Sequence, residues 1–339
     1  MGIKEIAEQA NVSKTTVSLA LNGHKGVSHQ TRMRIIALAK EMNYRVPGER
    51  SFSHPSLGFI MFARIRKHGL ILNEDQNSFI MHYIDGMNQI VRESGYTFEI
   101  FDHRMESMDT MVQAIEERHP KGVIVLGTEL DSTDVENLAR LSVPYVVIDT
   151  YFEHIACDFV DMANIGAVYN VVEHLYATGH GRICMVTSTV KSGNVLMRER
   201  GFALVMQQFK LKIDEDSLLE VRPGFQGAYE DMKACLGEGR KIPEGLFCYN
   251  DVAAFGVIKA FKEAGIKVPK DVSVVGFDDL PMSSMMEPHL SSVRVSNRQI
   301  GSSAAEILIE RLETKKNHFP TGLLVSGSLI KRDSVARRI

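Results

Sequence analysis

Ile3-Lys4-Glu5-Ile6-Ala7-Glu8-Gln9-Ala10-Asn11-Val12-Ser13-Lys14-Thr15-Thr16-Val17-Ser18-Leu19-Ala20-Leu21-Asn22 is the stretch that decides the fold, and its pattern runs on to Tyr44. Ile3, Ile6, Ala7 and Ala10 recur at helical spacing and mark one apolar face. Asn11-Val12 interrupts the pattern, and Ser13 is a good N-cap for a second helix because its hydroxyl accepts an orphan backbone N–H. In that helix Val17, Ala20 and Leu21 face inward, which leaves Lys14, Thr15 and Ser18 outward near its start. Asn22-Gly23 ends it with turn chemistry. Ser28 is expected to cap a third helix whose core comes from Ile36, Ala37 and Leu38. Two short helices, a tight turn and a third helix make a helix-turn-helix, a shape mainly used to lay one helix in the DNA major groove.

Spacing alone leaves open an ordinary three-helix cap, and charge weighs against that. Residues 1–54 carry eight Lys or Arg against four acids, a net of +4, whereas the whole chain is −3, which leaves −7 on the remainder. A basic head on an acidic body implies that the head alone meets phosphate.

The Val12-to-Ser18 segment, Leu21-Asn22, Val27-Ser28, Thr31-Arg32 and Asn43-Tyr44 resemble the DNA-binding head of the lactose/galactose repressor family of bacterial transcription regulators. The resemblance implies that Lys14 and Thr15 read bases, and that Ser13, Thr16, Ser18, Asn22, Ser28, Thr31 and Tyr44 touch or position the phosphate backbone. Leu19 departs from the family, where a polar residue often reaches a base; a leucine touches a thymine methyl instead.

Residues 45–56, with Pro47, Gly48 and Pro55, separate the head (1–44) from the rest (57–339). In the family such a linker folds into a hinge helix on DNA and inserts an apolar wedge in the minor groove. Arg50-Ser51-Phe52 resembles that segment and makes Phe52 the wedge, although the linker is short; a plain tether is the alternative.

At 339 residues and 44% hydrophobic content the chain supports two or three folding units with real cores. No stretch of about 18 apolar residues is present, so no membrane span is expected. The N-terminus opens on a helical pattern with acids rather than a signal peptide. Cys157, Cys184, Cys235 and Cys248 are scattered, which fits a reducing cytoplasm.

From Leu57 short apolar strands alternate with amphipathic helices: Leu57 to Phe62, Phe98 to Phe101, Gly122 to Leu126, Tyr145 to Ile148, Ile183 to Val186, Leu246 to Tyr249 and Val272 to Phe277 read as strands. Such alternation indicates parallel sheets with right-handed crossovers. About 280 residues is long for one sheet, so two similar halves are expected, the second series beginning near Gly179-His180. Gly179-His180, Arg198 to Phe202, Asn250-Asp251, Val268-Pro269 and Gly276 to Asp279 also look like the family's effector domain. The resemblance therefore implies an all-α helix-turn-helix head plus an α/β effector domain of the type I periplasmic-binding-protein fold. Its two parallel-sheet subdomains would be about 57–162 plus 292–318 and about 163–291 plus 319–339.

Asp149, Asn250 and Asp278 each follow an apolar strand, where ligands of open α/β sheets collect. Together with Arg198 they offer a carboxylate, an amide and a guanidinium, a set suited to vicinal hydroxyls. By resemblance Arg198, Asn250 and Asp278 grip the effector, Asp149 matches a polar pocket position, and Phe79 and Phe225 are aromatic candidates for stacking. The run from Ala63 to Asp75 is longer than the family's loop, and its Arg64, Arg66, Lys67 and His68 suggest an anionic ligand, the DNA backbone, or a solvated loop.

No phosphate-binding glycine loop follows a strand, no nucleophile elbow or metal-binding His spacing is present, and no cofactor or metal is expected. The sequence thus reads as a homodimeric repressor, not an enzyme. It would bind a pseudo-palindromic double-stranded operator and respond to a small, sugar-like effector. The competing reading is a small-molecule sensing module with a degenerate head.

Overall fold

The computed structural model describes residues 3–10, 12–21, 27, 31, 34, 35, 38, 39, 42, 56–72, 77–314 and 319–338. The chain divides at Leu57/Gly58 into two compact units. The expected roles of Asn22, Ser28, Tyr44 and Phe52, and the linker they lead into, lie outside the described residues.

In the head, α1 spans Ile3–Ala10 and α2 spans Lys14–Leu21. Ile6, Ala7, Ala10, Val17, Ala20 and Leu21 are buried, as the three-and-four spacing requires. In the third helical segment Leu38, expected in the core, packs against it. Among the described residues Ile35 and Ala39 are its buried positions, with Leu38 and Met42 packed alongside. Ile36 and Ala37 lie outside the described side chains.

The body holds two six-stranded sheets. The first has the order β11-β5-β4-β3-β1-β2, with β1 Phe59–Arg66, β2 Thr97–Arg104, β3 Gly122–Leu126, β4 Tyr145–Ile148, β5 Phe159–Met162 and β11 Gly322–Val325. All its pairings are parallel. The second has the order β12-β10-β9-β8-β6-β7, with β6 Ile183–Ser188, β7 Leu218–Val221, β8 Gly245–Cys248, β9 Ser273–Asp278, β10 Ser291–Arg294 and β12 Ser328–Ile330. Only β12 runs antiparallel there. Every residue of β3, β6, β8 and β9 is buried, the continuous apolar signature of strands covered on both faces.

The chain crosses between sheets at different points from those expected. β10 (291–294) belongs to the second sheet and β11 (322–325) to the first, so residues 292–294 and 319–325 change sides relative to the sequence division. The cause is pairing: β10 docks in register on β9, with Ser291 opposite Val275, and β11 on β5, with Gly322 opposite Phe159. Periodicity cannot report such partners for four-residue strands.

Helices α3 (Asn77–Glu93) and α10 (Asn297–Glu313) cover the first sheet and touch backbone to backbone. A Cβ on Gly301 would stand 2.2 Å from the Tyr83 carbonyl oxygen, so only glycine fits there. The second sheet is flanked by α6 (Asn164–Ala177), α7 (Gly193–Gln208), α8 (Gly224–Gly237) and α9 (Asp251–Glu263).

Asp251, fully buried at the start of α9, ties that helix to the sheet. Its carboxylate accepts from Leu280 N at 2.8 Å, Ser283 Oγ at 2.6 Å and Ser292 Oγ at 2.6 Å. Burial pushes this carboxyl up to about 7, against the pull of those hydrogen bonds. The native chain then holds a proton that the unfolded chain, with a carboxyl near 4, has released. Stability from this group is greatest below the unfolded value and is lost as pH rises from about 4 through about 7. Asp251→Asn keeps three partners, because its amide can donate to Ser292. Urea unfolding at stepped pH should show the wild type losing on the order of a few kcal/mol relative to this variant across that window; a pH-independent difference would refute the assignment.

Candidate effector cleft and nucleic-acid interface

The first turn of α2 presents Ser13, Lys14 and Thr15 to solvent, and Thr16, Ser18 and Leu19 are half-buried. Ser13 caps the helix: its Oγ accepts the Thr16 N–H at 3.0 Å and pairs with the Thr16 hydroxyl at 2.8 Å. Thr31 is half-buried and helical. Arg34, which sequence reasoning did not single out, donates to the Ala10 carbonyl at 2.5 Å and closes the C-terminal end of α1.

In the body, Asp149 follows β4, Asn250 follows β8 and Asp278 ends β9, all at carboxyl ends of strands. Asp149 and Asp278 hold φ of 63° and 107°. Non-glycine residues at such angles are costly and cluster at functional sites. Arg198 comes from the second turn of α7, whose N-cap is Ser192. Phe79, Asp149, Arg198, Asn250 and Asp278 line one cleft of about 50 Å³, with Ile71, Leu72, Ile80, Thr128, Met162, Ser192, Asn194, Val195 and Tyr249 completing its wall. Phe225 is not brought there. It opens α8 against α9, with the Lys259 ammonium 5.5 Å from its ring; the chain turns into α8 before Phe225 can face the cleft.

A buried network joins the strand ends of one sheet to the helices of the other. Asp149 accepts from Tyr83 Oη at 3.0 Å, from Asn194 Nδ2 at 3.1 Å and from Thr128 Oγ1. Asn194 in turn accepts from Asn164 Nδ2 at 2.7 Å. Arg198 Nε donates to Asn164 Oδ1 at 2.9 Å, Nη1 donates to the Tyr249 carbonyl, and Nη2 lies 3.0 Å from Met162 Sδ and 3.9 Å from Asp278 Oδ1. The guanidinium also stacks 3.7 Å from the centre of the Phe277 ring. Asn250 spends its Oδ1 capping α9, accepting from Ala253 N at 2.8 Å.

Asp161 on β5 adds a third carboxyl that the sequence reading missed. It is fully buried, and its Oδ2 has no hydrogen-bond partner. Burial raises the carboxyls of Asp149, Asp161 and Asp278; hydrogen bonds and Arg198 oppose the rise at Asp149, and Arg198 opposes it at Asp278. Asp149 and Asp278 line the cleft, and Asp161, which does not line it, interacts electrostatically with Asp149 and Arg198; against one guanidinium this favours hydrogen-bond donors and disfavours further negative charge.

The basic run expected to follow the first strand is not a free loop: β1 extends to Arg66. Arg64 pairs with Asp102 at 2.5 Å, and Lys67 pairs with Asp131 and Asp134 at 2.5 and 2.6 Å. No group of three or more metal-binding side chains occurs among the described residues, and no helix among them is long and apolar enough to cross a membrane.

Comparison with known proteins agrees with these two units. The family described as "Bacterial regulatory proteins, lacI family" matches residues 2–46, and a "Periplasmic binding protein-like domain" matches residues 172–335. The HTH-type transcriptional repressor PurR of Vibrio parahaemolyticus serotype O3:K6 is 30% identical over 324 residues, 93% of each chain. Among solved structures, a complex of the transcriptional regulator CelR with cellobiose superposes with a TM-score of 0.73 at 23% identity, covering 98% of this chain and 99% of that one. The lac repressor dimer bound to operator and the anti-inducer ONPF gives 0.71 at 22%, covering 99% of each chain. At that identity the structures speak for the fold, and the repressor relative for the lineage. The chain belongs to the lacI family of bacterial regulatory proteins, with a helix-turn-helix DNA-binding head and a ligand-binding body of the type I periplasmic-binding fold.

Proposed function

We propose that the protein is a dimeric transcriptional repressor that acts in the cytoplasm and whose operator affinity is set by a small neutral effector held in the cleft. The observation that carries this is the convergence of Phe79, Asp149, Arg198, Asn250 and Asp278 on one cleft, in a chain whose head exposes Lys14 and Thr15 on a capped helix. Two heads would meet a pseudo-palindrome, as a twofold protein meets a twofold site. The dimer faces fall on body helices, α3 over Ile84 to Glu93 and α9 among them. Catalysis has no part in this reading.

Lys14 and Thr15 read bases. Ser13, Thr16, Ser18 and Thr31 set the helix on the backbone. Leu19 meets a thymine methyl. Phe52 is the minor-groove wedge. The resemblance makes the same backbone-contact assignment for Asn22, Ser28 and Tyr44.

In the cleft the excess of carboxyls favours an uncharged, donor-rich molecule, and the pairing of Arg64 and Lys67 with acids removes the incentive for a phosphate there. A sugar or sugar derivative satisfies these demands, its hydroxyls on Asp149, Asp278 and Arg198 and its ring against Phe79. A nucleobase with exocyclic amino groups meets the same chemistry, and the sequence relative is named PurR rather than after a sugar. Effector binding shifts the balance of cleft arrangements and, by linkage, operator affinity.

In a DNA selection with the full chain, a palindrome should be enriched. The Lys14→Ala/Thr15→Ala variant should flatten preference at the matching bases by about 1–3 kcal/mol each, while an unchanged base profile would remove these residues from direct readout. A thermal-shift panel of sugars, their phosphate esters and nucleobases should return neutral hits. Arg198→Ala and Asp278→Ala should each abolish those shifts with operator binding retained; equal affinity in wild type and both variants would sink the cleft assignment.

A further inference from the structure

The segment Lys67–Leu72 follows β1 without regular secondary structure, yet most of its backbone N–H groups are hydrogen-bonded. One buried carboxylate, Glu129, accepts five of its backbone N–H groups. Oε2 takes those of Lys67, His68 and Gly69 at 2.9, 3.1 and 2.9 Å, and Oε1 takes those of Ile71 and Leu72 at 2.8 Å each. Burial alone would raise this carboxyl, but the converging N–H groups outweigh it and hold it below the usual carboxylate range. The Lys67 side chain adds its bridge to Asp131 and Asp134. Those two acids form the capping box of the short helix Ser132–Asn137, so the anchor is itself fixed.

The segment stands at the cleft. Ile71 and Leu72 line it, and Glu129 adjoins Thr128, whose hydroxyl bonds Asp149. On its other side lies a chamber of about 380 Å³ lined by Arg64, Arg66, Gly69 and Asp102, which shares Leu72 and Ile80 with the cleft. The cleft as it stands, about 50 Å³, is too small for a ligand that ordinarily needs about 300 Å³ or more. The neighbouring chamber has that room.

We propose that Lys67–Leu72 is a latched front wall of the effector cleft, and that Glu129 is the positioning residue that keeps Leu72 between the cleft and the chamber beside it. Releasing the latch joins the two spaces into one site of small-molecule size. Glu129 thereby sets both access to the cleft and the size of molecule it admits. The proposal rests on the cleft being the effector site. Its test uses no effector, so its failure and the failure of that reading are separate results.

The experiment uses the full chain with Glu129→Gln, whose amide nitrogen cannot accept. Hydrogen exchange of the 67–72 amides should quicken by about tenfold or more, with β3 and β4 amides unchanged as the folding control. A reporter thiol in the cleft, Val195→Cys in a Cys235→Ser background, should react with a disulfide reagent faster by a similar factor when Glu129→Gln is added. The other native thiols, Cys157, Cys184 and Cys248, are buried. Unchanged exchange of the segment overturns the latch. Faster exchange with an unchanged thiol rate overturns the wall. If the control amides also quicken, Glu129→Asp, which draws the carboxylate back by one methylene, replaces it under the same two criteria.

Discussion

Arg198 is the group on which the cleft's organisation depends. Its guanidinium holds Asn164 at the start of α6, the Tyr249 carbonyl after β8 and the face of Phe277 on β9, and it reaches Met162 at the end of β5 in the other sheet. A planar, permanently charged fork with five donors can do this, and an ammonium cannot. The same group is the cation among three buried carboxyls, Asp149, Asp161 and Asp278. One side chain therefore bridges the two sheets at the cleft and partly balances the carboxyls there.

Burying that many acids is unfavourable unless each finds donors or keeps a proton. Asp149 finds Tyr83, Thr128 and Asn194. Asp251, one turn from the cleft, finds two serines and a backbone N–H. Among the described residues Asp278 leans on Arg198 alone, and Asp161 Oδ2 has no hydrogen-bond partner. On the proposed reading, the donors still wanted are those an effector would bring.

The sequence was most legible where one residue type has one physical use. The spacing of Ile6, Ala7, Val17 and Leu21 gave the head its helices, and the apolar runs at 122–126 and 145–148 gave strands with the same boundaries as the structure. A polar residue just past such a strand marked Asp149, Asn250 and Asp278. Arg198 rested on family resemblance, because nothing in a helix's own pattern says that one arginine turns inward. What stayed hidden depends on partners distant in the chain. The four-residue strands β5, β7, β10 and β11 exist because of the strands beside them. Tyr83, Asn164 and Asn194 look like ordinary helix residues until the sheets bring them together. Glu129 carried no signal, since its partners are backbone N–H groups, which every residue but proline has. Phe225, an aromatic candidate by resemblance, went the opposite way: α8 begins one residue earlier and turns it toward α9.

The closed cleft bears on how an effector acts. The chain Asp149–Asn194–Asn164–Arg198 connects the sheets through protein groups alone. A ligand can shift an equilibrium only by its differential affinity for the two arrangements. A molecule that merely replaced these hydrogen bonds one for one would gain nothing by closing the cleft further. On the proposed reading, an effective ligand must supply what the network lacks, donors for Asp278, or must need more room than about 50 Å³ and so favour an open arrangement. The first kind strengthens the closed form and the second depletes it. Moving such a two-state balance from one side to the other takes about 5.5 kcal/mol of differential binding, the scale of a few well-made hydrogen bonds to charged groups. On the proposed reading, the direction of the regulatory response follows from the fit between ligand size and the hydrogen bonds that the cleft leaves unmade.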